Sequence, residues 1–224
     1  QAVLGWTALH SAAAMLPMTV VMMPMSTVAP RIAARFGRRN TMASGVAIFA
    51  GGLATMALRA SVEGGYMSVL PGLMLIGLGM GLTMTPATEA ITETLPPEKQ
   101  GVASALNDTS RELGGAVGIA LLGSVLTAGY KSAIDPALAG VPAELANQAR
   151  EGIGAAFAVA ARAGDQGPVI LDAAKHAFVE GWVQSMWLGV GMAAIAFTYL
   201  LVRGPGRNPV VTFADECDDR VLVG

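Results

Sequence analysis

Apolar residues run through this chain in long blocks, and the charged residues gather between them. A helix rises about 1.5 Å per residue, so roughly 20 apolar residues cross a hydrocarbon layer of about 30 Å. Runs of that order cover residues 9–30, 41–58, 66–90, 102–128 and 178–202, which predicts five membrane-spanning helices. The runs do not alternate with period two, as lipid-facing barrel strands must, so helices are the reading. Pro17, Pro24, Pro71 and Pro86 fall within them and are tolerated where neighbouring helices satisfy the freed backbone groups. The expected fold is an all-α bundle with kinks.

The polar stretches orient that bundle. Residues 31–40 read as a loop carrying four arginines, Arg31, Arg35, Arg38 and Arg39, and the positive-inside rule places that loop in the cytoplasm. Alternation then puts Gln1 outside and Gly224 inside. Residues 129–177 form an extracytoplasmic segment of mixed charge; 142–163, rich in alanine and opening on Pro142, reads as a surface-lying helix. Pro168 starts a further helix that runs into the last span. The tail, 204–224, holds Asp215, Glu216, Asp218 and Asp219 around Cys217 and reads as a mobile cytoplasmic end. Gln1, without an initiator Met or a signal-peptide pattern, is read as a cut through a longer protein.

Composition agrees and excludes several classes. The chain is 53% hydrophobic and 13% charged, against roughly 25% charged in a soluble domain. A net charge of −2 leaves no basic stripe to neutralise phosphates, so no nucleic-acid partner is expected. A lone cysteine allows neither an internal disulfide nor a thiolate cage, and no metal is expected. His10 and His176 have no catalytic motif beside them, and the reading is not an enzyme. The run Gly77, Gly79, Gly81 imitates part of a dinucleotide fingerprint but lies inside an apolar helix with no preceding strand, so no nucleotide cofactor follows.

Three patterns remain as candidate chemistry. Gly77 with Gly81, and Gly114 with Gly118, each make a GxxxG face on which two helix backbones approach closely, either as static packing or as a sliding surface. Met15, Met18, Met22 and Met25 recur at helical spacing on the first helix. Their thioethers suit either a cavity for dissimilar apolar ligands or plain packing. Glu89 and Glu93 end the third helix, while Asp108, Arg111 and Glu112 open the fourth. Ionisable groups at mid-bilayer cost about 2.5–3.5 kcal/mol each, and these lie near the inner interface instead. They read as an inner gate paired with Arg35, Arg38 or Arg39, as a proton relay, or as separately solvated charges.

Three stretches carry a family likeness. They are Gly5-Trp6-Thr7-Ala8 leading into Met15-Leu16-Pro17-Met18; Arg35-Phe36-Gly37-Arg38-Arg39; and residues 101–118, from Gly101 through Asn107, Asp108 and Arg111 to Gly114, Gly115 and Gly118. Together they resemble the major facilitator superfamily, in its fourteen-helix drug:proton antiporter branch (EmrB/QacA type). The arginine stretch is similar to the second-half copy of the family's helix-linking motif, but Ala34 stands where the full motif has an acid. The resemblance implies a C-terminal piece of a multi-pass cell-membrane exporter surrounded by lipid. The N-terminal half and the first helix of the second half are then missing. It also implies hydrophobic or cationic small-molecule substrates, proton as coupling ion, alternating access and no bound cofactor; the fragment alone would not transport. Two alternatives stay open: an exporter of one metabolite on the same fold, and a membrane sensor or assembly subunit that binds through its long outer segment.

Overall fold

A backbone that crosses lipid must satisfy its own polar groups, and the helix does this within one segment. The computed structural model describes residues 5–92 and 96–204, and among them every regular element is helical. Five helical stretches are long and apolar enough to cross a membrane. The first is broken. A short α1 (Ala8–Ala13), capped by the Thr7 side chain, gives way at Ala14 and Met15 to α2 (Leu16–Phe36). Pro17 sits in the first turn of α2, where its missing N–H has no helical acceptor to leave open.

The expected arginine loop is not a loop. Residues 31–36 belong to α2, and α3 (Arg38–Arg59) begins immediately after Gly37. Arginine is a good helix former, so charge alone does not end a helix. The break comes from Gly37, whose φ of 89° lies in the region that glycine alone enters at low cost.

After α3 the chain returns as α4 (Gly65–Thr92), then a single 3-10 turn at Pro97–Lys99, then α5 (Gln100–Ile134). The last span, α8 (Gly167–Arg203), opens with Pro168 in its first turn. The helices pack as a row in the order α2, α4, α3, α8, α5. Helix α4 is therefore flanked on both sides, and α5 stands at an end.

Helices α5 and α8 both run past the expected span boundaries into the segment 129–177, which is more structured than a surface-lying helix. It holds two short helices, α6 (Ala143–Arg150) and α7 (Ile153–Ala160), separated at Glu151 and Gly152. Ala146, Ala149, Ala156 and Val159 from these close on Tyr130 and Ile134 of α5 and Ile170, Ala174 and Ala177 of α8, forming a buried core. The Tyr130 hydroxyl donates to the Ala149 carbonyl at 2.9 Å, and Arg150 pairs with Asp135. Beneath this cap α5 crosses α8 where Gly129 meets Gly181; a Cβ on Gly129 would lie 2.8 Å from the Gly181 Cα.

Candidate functional site

Helix α4 presents glycines on two faces. Towards α3, a Cβ on Gly79 would lie 2.6 Å from the Gly45 carbonyl oxygen, and one on Gly52 would lie 2.9 Å from the Gly72 carbonyl oxygen. Towards α2, a Cβ on Gly77 would collide with the Met18 carbonyl, and one on Gly81 would lie 2.8 Å from the Met22 carbonyl oxygen and 2.9 Å from the Met25 Cβ. At such contacts backbone meets backbone, and no side chain can swing away to admit a methyl group. Two of the sequence patterns thus meet each other: the methionine stripe of α2 lies along the glycine face of α4. Met18, Met22 and Met25 belong to this seam, and Met15 at its outer end is 53% exposed. The backbone of the stripe packs against α4, while the Met18, Met22 and Met25 side chains stay half-buried.

Polar contacts fasten the same seam at both ends. On one end the Tyr66 hydroxyl donates to the Ala14 carbonyl at 2.9 Å, and the Tyr66 ring meets Trp6 with centroids 5.5 Å apart. Towards the other end the Thr85 hydroxyl donates to the Ser26 carbonyl at 3.3 Å.

Helix α5 contrasts with this. Residues 108–117 are exposed on every side, Leu113 at 66% and Val117 at 49%. Cβ atoms added at Gly114, Gly115 or Gly118 would meet nothing within 4 Å. The close approach expected at Gly114 and Gly118 is not made among the described residues. The exposed stretch also carries Asp108, Arg111 and Glu112. Just before it, Asn107 is only 8% exposed and Ala103 is fully buried.

The arginines of the α2–α3 junction diverge. Arg35 is exposed and lies over the Phe36 ring, 5.6 Å from its centroid. Arg38 and Arg39 are half-buried, and a Cβ on Gly204, at the end of α8, would be 3.1 Å from the Arg39 Cγ. Glu89 is half-buried one turn before the end of α4, and Glu93 lies outside the described residues. Among the described residues, neither Arg35 nor Arg39 forms an ion pair with Glu89, Asp108 or Glu112. No group of three or more His, Cys, Asp or Glu is placed to hold a metal among them.

Sequence reading missed Gly45, Gly52, Gly72 and Gly79, although each pair is seven residues apart. Seven residues make about two helical turns, so each pair shares a face. It also missed Thr85 and Tyr66, whose partners lie on another helix.

A sequence model of the Major Facilitator Superfamily matches residues 1–119. Among curated proteins, the chain is 34% identical over 183 residues to the multidrug efflux pump LfrA of Mycolicibacterium smegmatis, covering 81% of this chain and 36% of that pump. It is 32% identical over 133 residues to the multidrug transporter protein MdtP of Bacillus subtilis, covering 57% of this chain and 24% of MdtP. It is also 31% identical over 123 residues to the quinolone resistance protein NorB of Staphylococcus aureus, covering 54% of this chain and 27% of NorB. The chain spans little more than a third, or less, of the length of these relatives.

Proposed function

The chain belongs to the major facilitator superfamily, and on that premise we propose that it forms the C-terminal part of a cell-membrane multidrug exporter. The exporter drives hydrophobic or cationic small molecules outward in exchange for protons, by alternating access between two halves. The observation that carries this reading is the 183-residue match to an efflux pump, which extends beyond the 119 residues of the family match and so takes in part of the outer cap or the last span.

In this reading the open face of α5 receives helices from the upstream part of the same polypeptide. Charged groups facing hydrocarbon are costly, so Asp108, Arg111 and Glu112 on that face call for polar partners or water. Gly114 and Gly118 leave room there for a helix backbone. The arginine-bearing α2–α3 junction lies in the cytoplasm, and the cap built from residues 129–177 lies outside. Arg35, Arg38 and Arg39 close an inner gate with Glu89, Glu93, Asp108 or Glu112 when the transporter faces outward.

The test uses the full reading frame, expressed in cells loaded with a fluorescent lipophilic cation. Export that stops when a protonophore collapses the proton gradient supports the proposal. Dye retention at normal expression overturns it in favour of a single-metabolite exporter or a non-transporting membrane subunit. Export that is indifferent to the gradient removes the proton. Cysteines placed singly in a Cys217→Ser background and labelled from outside check the orientation; protection of the cap together with labelling of the junction reverses it.

A further inference from the structure

Helix α2 has a carbonyl with no donor of its own. Pro30 lacks an N–H, so the Ser26 carbonyl, four residues earlier, loses the bond that a helix normally gives it. Thr85 of α4 supplies the replacement. This choice distinguishes it from its neighbours. Thr83, Thr88 and Thr92 all turn back on their own helix, donating to the carbonyls of Gly79, Met84 and Thr88 at 2.8, 3.0 and 3.1 Å. A threonine in a helix has that return bond within reach at all times, and for Thr85 the acceptor is the Gly81 carbonyl.

The surroundings permit movement. Gly77, Gly81 and Thr85 follow one another at four-residue steps along α4, on the side that meets α2. A Cβ on Gly81 would lie 3.2 Å from the Ser26 nitrogen, so the bare glycine brings α2 close enough for Thr85 to cross. Next to Thr85, Pro86 removes a backbone bond from α4, as Pro30 does from α2. Both helices are weakened at the same level, and a single hydroxyl joins them there.

We propose that the Thr85 hydroxyl is a two-position coupler between α2 and α4. In the conformation described here it ties the two proline-weakened turns together across the seam. In the alternate conformation it returns to the Gly81 carbonyl and lets the ends of α2 and α4 that bear Arg35 and Glu89 separate. Thr85 is a positioning residue: it acts through the seam and touches no substrate. The inference rests on the alternating-access reading, since a static protein has no use for the second position.

The experiment follows Cys alkylation at Ile32→Cys in the full-length protein, in a Cys217→Ser background, beside dye export. One hydrogen bond between membrane helices corresponds to roughly a threefold change in an equilibrium. Thr85→Val, which keeps the volume and loses the donor, should speed alkylation about threefold. Thr85→Ser should behave as the parent. Pro30→Ala gives the Ser26 carbonyl a backbone donor within α2, so in that background Thr85→Val should change alkylation much less, the hydroxyl no longer having a vacant acceptor to cross to. Unchanged alkylation in Thr85→Val overturns the coupler, and so does equal acceleration by serine and valine. A Thr85→Val effect that is undiminished in the Pro30→Ala background assigns the effect to side-chain shape and also overturns it; if Pro30→Ala does not fold, the serine–valine contrast decides. Alkylation needs no substrate. A parent that exports no dye therefore ends the transporter reading, while the Thr85 contrast is still decided by its own measurement.

Discussion

Helices α4 and α5 carry the same signature, two glycines four residues apart, and meet opposite fates. At Gly77 and Gly81 the backbone of α2 arrives so closely that a methyl group has no room, whereas at Gly114 and Gly118 nothing comes within 4 Å of where one would sit. The motifs do not differ; their neighbours do. Helix α4 lies between α2 and α3, and α5 ends the row. Glycine spacing marks where a backbone can be approached and leaves open what approaches it. In the transporter reading proposed above, an unfilled face of this kind is where further helices would pack.

The comparison breaks most visibly if the two faces respond alike to bulk. Gly77→Leu forces the α2 and α4 backbones apart, beyond the 1–3 kcal/mol or so typical of overpacking that side chains can absorb. Little folded protein should survive detergent extraction, as read by size-exclusion profile. A normal profile would mean that the seam is not fixed. Gly118→Leu should leave thermal stability of this bundle within about 0.5 kcal/mol, as for an open surface site. In the full-length protein it should lower dye export about tenfold, the equivalent of roughly 1.4 kcal/mol of obstructed packing. Wild-type export at normal expression would make the α5 face merely lipid-exposed.

Smaller effects sharpen the picture. Arg39→Ala combined with Asp108→Ala or with Glu89→Ala should deviate from additivity in transport by about 1 kcal/mol, or several-fold, if the gate forms in the outward-facing state. Strict additivity for every arginine–carboxylate pair leaves these residues as orientation signals. Tyr66→Phe removes one hydroxyl from the far end of the seam and should cost about 0.6 kcal/mol, seen as a small drop in melting temperature. A loss several times larger would show that the Trp6–Tyr66 contact depends on the hydroxyl.

The five spans were legible because lipid imposes length and apolarity on every crossing helix, and both are written in composition. Their ends were not. Hydropathy falls where the bilayer ends, while the helix ends where the backbone is interrupted, so α5 passes Lys131 to reach Ile134 and the arginines extend α2 until Gly37. The outer segment hid its core because alanines bury well on a closed tertiary surface yet give no periodic signal against an equally apolar background. Gly81 and Gly118 are indistinguishable locally. Thr85 was invisible because its role depends on Ser26, 59 positions away, and on Pro30 having emptied that carbonyl.

One consequence of the cap over α5 and α8 is mechanical. Tyr130, Ile134 and the Gly129–Gly181 crossing clamp α5 to α8 at the cap, and Ala103 and Asn107 are buried at the other end, so the exposed stretch of α5 is a beam held at both ends. From Gly129 back to Asp108 that stretch is about 30 Å long. A strain within the cap therefore reaches Asp108, Arg111 and Glu112 through a helix that is also held beyond them, and it is felt there as a bow of the beam and not as a swing of its end.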